Sequence, residues 1–215
     1  MDQKWSSLDL AVQLESLKRD CSIHIKGALS REECISLMDM VENLQLSDAK
    51  RSDIEAKVIE QCQVSVFNKD VTRMLEAHFG QGYQIMWSSF DVVGDDAAHS
   101  YPSITWHLDG GVTGSLKLFV YLNSVEEHGC NTLMMDQERT NQLRKSGAFP
   151  ISMKERKEDL TNELINLNLT PEYISYDLKA GDILLFSPLI LAHRCIPPRI
   201  GKRRFTVCFT IIPAS

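Results

Sequence analysis

The chain is 215 residues long, 43% of them hydrophobic, with 23 basic against 29 acidic side chains and a net charge of −6. That size and apolar content fit one domain with a sizeable core better than two, and the acidic balance argues against a surface built mainly to hold phosphate backbones. No nucleic-acid partner is expected.

In chain order, LDLAVQLESLKRD (8–20) spaces its apolar residues as a helix does, and CSIHIKG (21–27) alternates as a strand. SREECISLMDMVENL (30–44) opens with Ser30 as N-cap and Glu33 three residues on, a capping box. A further helix is predicted in KDVTRMLEAHFG (69–80), closed by Gly80, ahead of a strand in YQIMWSSFDVV (83–93). From Thr105 on, GSLKLFVYLNSV, NTLMMD, EYISYDLKAGDILLFS and RRFTVCFTIIP are rich in β-branched and aromatic residues and separated by Gly, Asn, Asp and Pro. They read as strands of a sandwich or small barrel. Residues 138–170 break the series, because SMKERKEDLTNELINLNL is charged and helix-prone, and a long insertion or lid is expected there. The order implies an α+β fold with a mainly β core: a single domain over 1–215, of which 1–80 is a helical support region.

The six cysteines (Cys21, Cys34, Cys62, Cys130, Cys195, Cys208) contain no CxxC pair, and no basic start followed by an apolar core suggests a signal peptide. A reducing, cytoplasmic setting is expected. The longest apolar runs, such as ILLFSPLILA, are too short and interrupted to cross a bilayer, so no membrane partner is expected.

WHLDGG (106–111) sets His107 and Asp109 two apart. On an extended strand such residues project to one side, so both can reach one ion while Leu108 points away and Gly110 and Gly111 let the chain turn. Alone the pair is weak evidence, since a histidine beside Trp106 also fits a core. A third ligand would complete the two-histidine, one-carboxylate face that holds Fe(II) and leaves positions open for substrate and oxygen. His193, in KAGDILLFSPLILAHRC, is the candidate.

His-x-Asp, a strand ending YLN, then HGC, then AGD with Phe186 four residues after its Asp, then His193 and an arginine on the last strand occur here in that order. This order resembles the iron- and 2-oxoglutarate-dependent dioxygenases, in particular their phytanoyl-CoA dioxygenase-like branch, and LKRDCSIHIKGALSREECISLM resembles that branch's opening helix, strand and LS-x-EEC helix. The resemblance covers most of the chain. It implies a double-stranded β-helix (jelly-roll, cupin-like) barrel over 81–215, with the N-terminal helices packed on one sheet. It implies His107, Asp109 and His193 as metal ligands and catalytic residues, with Fe(II), 2-oxoglutarate and O2 as cofactors. The implied activity couples oxidative decarboxylation of 2-oxoglutarate to succinate and CO2 with hydroxylation, or a related C–H oxidation, of a small organic substrate. Asp109 keeps the carboxylate of the hydroxylase pattern, where halogenases carry a small residue.

The distal carboxylate of 2-oxoglutarate suits a bidentate guanidinium, and Arg203 and Arg204 compete for that place. With Arg204 inward, Thr206, Cys208 and Thr210 share its side, while Phe205, Val207, Phe209 and Ile211 cover the outer face against the N-terminal helices. Arg204 also stands eleven residues after His193, a spacing that resembles the branch, and Thr206 falls where relatives carry a small hydroxyl residue. Arg204 is preferred. Arg203 matches the ten-residue spacing of prolyl-hydroxylase relatives but turns large apolar side chains inward, and it stays as the alternative.

Lys117, Phe119 and Tyr121 share one strand face, and the resemblance makes Lys117 and Tyr121 candidates at the cosubstrate carboxylates, a buried core tyrosine being the competing reading. Trp106 and His99 are candidate substrate contacts; core packing and solvent exposure are their plainer alternatives. His128 reads as a loop residue. MMDQER replaces the branch's usual Pro-Gly-Ser-His turn, so coenzyme A thioesters are not carried over as substrates. Two other classes stay open: a prolyl or other protein hydroxylase, which YLNSVEEHGCNT also resembles, and an inactive jelly-roll binding protein.

Overall fold

Period-two alternation of apolar residues builds one large sheet, and its outer face dictates where the helices lie. The computed structural model describes residues 7–42, 51–96 and 101–214. Its large sheet contains β1 (Ser22–Ile25), β2 (Tyr83–Val93), β3 (Leu116–Tyr121), β5 (Ile183–Phe186) and β7 (Arg204–Pro213), in the order β1-β5-β3-β7-β2 with every neighbour antiparallel. β4 (Thr132–Met134) and β6 (His193–Cys195) form a small second sheet. Isolated bridges widen it on both sides, Ile174 beside Met134 and His107 beside His193.

On the outer face of the large sheet, Ile23, Ile25, Leu116, Leu118, Val120, Ile183, Leu185, Phe205, Val207, Phe209 and Ile211 are buried in one cluster. Most of the rest of that cluster comes from four helices: α1 (Ser7–Asp20) supplies Leu17, α2 (Arg31–Glu42) Cys34 and Leu37, α3 (Arg51–Val66) Val58, Cys62 and Val66, and α4 (Lys69–Phe79) Val71, Met74 and Leu75. Each such side chain contributes about 1.5–3 kcal/mol on burial, which fixes the helices to this face. Their ends follow local chemistry. Ser30 and Glu33 close the expected capping box, with Ser30 N–H donating to Glu33 at 2.7 Å and Glu33 N–H to Ser30 Oγ at 3.1 Å. Asn68 caps α4, and Gly80 ends it at φ 69°.

The predicted N-terminal helices and large sheet are present, α2 being described to Glu42 while the remainder of 30–44 lies outside the described residues. Helix α3 escaped the sequence reading, although Ile54, Val58, Cys62 and Val66 recur at helical spacing. The run 172–187 is not one strand: only Ile183–Phe186 is, because residues 172–182 cross between the sheets with a single bridge at Ile174. Among the described residues no closed barrel forms. The large sheet keeps β1 and β2 as edges, and the second sheet has strands of only three residues, so the molecule is a mixed helix and antiparallel-sheet fold.

The insertion is anchored at a few points. It holds α6 (Gln137–Lys145) and α7 (Thr161–Asn166), following the short α5 (Val125–His128). Leu143, Leu160 and Leu164 are buried with Trp106, Met135 and Ala192 on the outer side of the small sheet. Much of SMKERKEDLTNELINLNL is therefore loop, held by a few leucines rather than by continuous helix.

Candidate metal centre

His107 and His193 face each other across two short extended segments. His107 N–H donates to His193 O at 3.1 Å and His193 N–H to His107 O at 2.9 Å. Residues paired in this way project to the same side, and the imidazole centroids stand 4.3 Å apart. Asp109 is held by its N–H to Pro188 O at 3.1 Å, and its Oδ1 lies 3.6 Å from His107 Nε2 and 3.7 Å from His193 Nε2. One donor atom from each of the three lies within 4.8 Å of the others. His193 opens β6, after the apolar run before it breaks into a turn beyond Phe186.

Both imidazoles donate Nδ1–H to a backbone carbonyl, His107 to Thr105 at 2.8 Å and His193 to Leu191 at 3.0 Å. That bond fixes the tautomer and leaves each Nε2 with a lone pair facing Asp109. His193 Nε2 is buried without a hydrogen-bond partner. Burial, then the neighbouring His107, pushes His193 down to about 3, and burial likewise lowers His107. Burial pushes the Asp109 carboxyl up, but His193 and Lys117 outweigh it and hold the group below the usual carboxylate range. Lys117 Nζ is paired with Asp109 Oδ2. Two neutral imidazoles, one of them with an orphaned Nε2, and one carboxylate form a donor set that fits a divalent metal such as Fe(II).

The register of β7 sends the two arginines to opposite sides. Asn123, the last residue of YLN, accepts from Phe205 N–H at 2.9 Å and donates to Arg203 O at 2.8 Å, pinning the start of the strand. Arg204 is consequently 2% exposed on the inner face, while Arg203 points out to Glu42 at 2.6 Å. Arg204 Nη1 donates to Cys195 Sγ at 3.3 Å, and its Nε has no partner. Two residues on, Thr206 is fully buried and its Oγ1 is also unpartnered. Tyr121 is fully buried too, its hydroxyl 2.9 Å from Thr132 Oγ1 and its ring 5.9 Å from the Arg204 guanidinium carbon.

The AGD motif ties the start of β5 to the segment after β1. Asp182 accepts from Gly27 N–H and Lys179 N–H, both at 2.8 Å, and from His24 Nε2 at 2.7 Å. Gly181 is obligatory: φ is 86°, and a Cβ there would meet Leu29 O at 2.0 Å.

Trp106 lies in the core beneath the insertion, 2% exposed and stacked on Tyr173 at 5.1 Å. His99 lies outside the described residues. The loop reading of His128 needs correction: it ends α5, is 1% exposed, and accepts Cys130 N–H at 2.9 Å on Nδ1. Sequence reasoning also missed Tyr101 and Asp91. Burial raises the Tyr101 hydroxyl to about 12 against the opposing Arg204 charge, and Asp91 pairs in register with Thr206. Alternation along β2 carried the signal for Asp91; nothing local marks Tyr101.

No protein-family model and no curated protein matches the chain. Solved structures do. The non-haem, alpha-ketoglutarate-dependent epimerase SnoN from nogalamycin biosynthesis is 11% identical, covers 98% of this chain and 85% of its own, and has a TM-score of 0.62. HygX from Streptomyces hygroscopicus, solved with iron bound, is 14% identical over 98% of this chain and 88% of its own, with a TM-score of 0.64. This chain has the fold of these iron- and 2-oxoglutarate-dependent enzymes. AviO1 from Streptomyces viridochromogenes Tue57 shares it at 13% identity, covering 98% of both chains with a TM-score of 0.60. HygX has also been solved with nickel and 2-oxoglutarate, and SnoN with Fe3+, alpha-ketoglutarate and nogalamycin RO.

Proposed function

We propose that the chain is a non-haem Fe(II)- and 2-oxoglutarate-dependent oxygenase that hydroxylates, or otherwise oxidises at C–H, a small organic molecule. The observation that carries this reading is the convergence of two Nδ1-anchored imidazoles and Asp109 around an unpartnered, buried His193 Nε2. His107, Asp109 and His193 would hold the metal. When bound, Fe(II) with 2-oxoglutarate and O2 supplies the oxidising power of the reaction, the cosubstrate leaving as succinate and CO2.

The chain's own part is positioning. Lys117 engages one oxygen of Asp109 and leaves the other facing the imidazoles. Arg204 and Thr206 present an unpartnered N–H and hydroxyl from one buried strand face, a pair suited to a distal carboxylate, with Tyr121 beside them. Phe186, edge-on to His193 at 4.9 Å, helps keep the interior dry. We further place the chain in the phytanoyl-CoA dioxygenase-like branch, as one domain over 1–215 whose large and small sheets are the two halves of an open jelly roll. The motif order and the β7 register support this.

The test is an anaerobic titration of the metal-free protein with Fe(II) and 2-oxoglutarate, watched for the visible charge-transfer band of the chelate. A band in the wild type that is lost in His107→Ala is the expected result. Folded wild-type protein without a band would overturn the reading in favour of a binding protein.

A further inference from the structure

Cys130 and Cys195 meet where the small sheet approaches the inner face of β7. Their sulfurs stand 3.1 Å apart, and both side chains are buried. All six cysteines are free thiols, and among the described residues this is their one sulfur-to-sulfur contact. The backbone holds both ends of it. Cys195 pairs with Thr132 across β4 and β6, and Ile196 N–H donates to Asn131 O at 2.8 Å. Cys130 N–H donates to His128 Nδ1 at 2.9 Å, directly after Gly129 ends α5. Reaching a disulfide bond of about 2.05 Å therefore takes roughly 1 Å of sulfur movement between two segments that are already hydrogen-bonded to each other.

The contact is joined to the cosubstrate anchor by hydrogen bonds. Arg204 Nη1 donates to Cys195 Sγ at 3.3 Å, while Arg204 Nε has no partner. Thr132, opposite Cys195, shares a hydrogen bond of 2.9 Å with the Tyr121 hydroxyl, and the Tyr121 ring lies 5.9 Å from the Arg204 guanidinium carbon. Any change at the sulfur pair is thus felt first by Arg204. A sulfur bonded to a second sulfur is a poorer acceptor for that guanidinium than a thiol, so the bond that positions Arg204 is weakened by oxidation. Cys195 is 4% exposed against 0% for Cys130, which makes it the sulfur that a small oxidant meets first, with Cys130 in place to resolve the product as a disulfide.

We propose that Cys130 and Cys195 are a redox modification site, closed to a disulfide by hydrogen peroxide, and that closing it weakens 2-oxoglutarate binding through Arg204. In the step, both S–H bonds and the O–O bond of peroxide break and one S–S bond forms. The sulfur pair gives up two electrons, and the two thiol protons leave in the two water molecules that peroxide becomes. A dithiol reverses the step by exchange. In a reducing compartment such a bond is transient, the form in which disulfides sense oxidant there. The effect on 2-oxoglutarate rests on the oxygenase reading; the formation of the disulfide does not.

The experiment treats full-length, metal-free protein with hydrogen peroxide, removes the oxidant and maps disulfides by mass spectrometry of unreduced peptides. Ni(II) is then added, and 2-oxoglutarate is titrated by calorimetry into reduced, oxidised and dithiothreitol-restored samples. Wild type, Cys130→Ser, Cys130→Ala and the control Cys208→Ser are compared, with circular dichroism to check folding. A Cys130–Cys195 peptide is expected in wild type and Cys208→Ser, with 2-oxoglutarate bound about fivefold or more weakly after oxidation and fully recovered by dithiothreitol. That recovery separates the disulfide from methionine oxidation, which the dithiol does not reverse. The Cys130 variants should form no such peptide and change affinity less than about twofold on peroxide treatment. No Cys130–Cys195 peptide from folded, oxidised wild type would overturn the site. A crosslinked protein with the reduced protein's affinity, or an equal loss in the Cys130 variants, would overturn its link to Arg204. Reduced wild type that binds no 2-oxoglutarate would overturn the oxygenase reading and that link together, while the peptide map still decides the modification.

Discussion

On the outer face of β7, Phe205, Val207, Phe209 and Ile211 are buried in the apolar cluster with the helices, whereas on the inner face Arg204 and Thr206 are equally buried yet keep an unpartnered Nε and Oγ1. The two faces belong to the same ten residues. Burial on the outer face stabilises the fold directly. Burial on the inner face leaves polar groups without partners, which costs stability unless something binds, so that face is organised around a ligand rather than around itself. The same contrast holds for the small sheet: Trp106 and Ala192 pack outward under the insertion, while their neighbours His107 and His193 turn inward.

The contrast breaks if inner-face and outer-face substitutions have like effects. Phe209 packs edge-on against Phe67 at 5.2 Å, and Phe209→Ala should lower stability in urea by about 3–5 kcal/mol while the folded fraction keeps its Ni(II) affinity. His193→Ala should do the reverse, weakening Ni(II) by roughly a hundredfold or more in calorimetry with the far-ultraviolet circular dichroism unchanged. Wild-type affinity in that variant would remove His193 from the site.

Smaller effects sharpen the picture. Arg204→Gln should weaken 2-oxoglutarate roughly ten- to a hundredfold, the worth of a charged hydrogen bond, whereas Arg203→Gln should change it less than about twofold. The opposite ranking would transfer the anchor to Arg203. Thr206→Val replaces a partnerless hydroxyl with a methyl of similar shape, so the apoprotein should melt no lower than wild type while 2-oxoglutarate binds about threefold more weakly.

His128 offers a pH test away from the metal centre. Burial, then the Arg204 charge, pushes it down to about 4 from an ordinary value near 6.5. Between those values the unfolded chain binds the proton and the folded one does not, so this part of the stability is present above about pH 6.5 and falls as pH drops toward 4. His128→Asn should flatten stability against pH in that window, and an unchanged slope would contradict the buried, neutral assignment.

Much of the site was legible because it rests on local rules. The His-x-Asp spacing, the strand alternation that turns Arg204 inward and the Ser30–Glu33 box each involve residues a few positions apart, and backbone geometry carries such patterns into three dimensions. Helix α3 was legible too, at Ile54, Val58, Cys62 and Val66, but went unread. Other features had no local signal. His128 looks like a polar loop residue until Asn123 O and Cys130 N–H close on it, and nothing in the charged insertion marks Leu143, Leu160 and Leu164 as the side chains that become buried.

By itself, then, the sequence determined which faces are apolar, where the helices start and stop, and which three side chains could share an ion, because periodicity and capping depend on neighbours along the chain. Only the tertiary structure decided that 172–182 is a crossing loop, that Asn123 pins the β7 register, and that residues 157 and 158 bond beside both histidine-bearing segments. Those outcomes depend on hydrogen bonds between segments tens of residues apart, such as Trp106 N–H to Lys157 O, which no local pattern encodes.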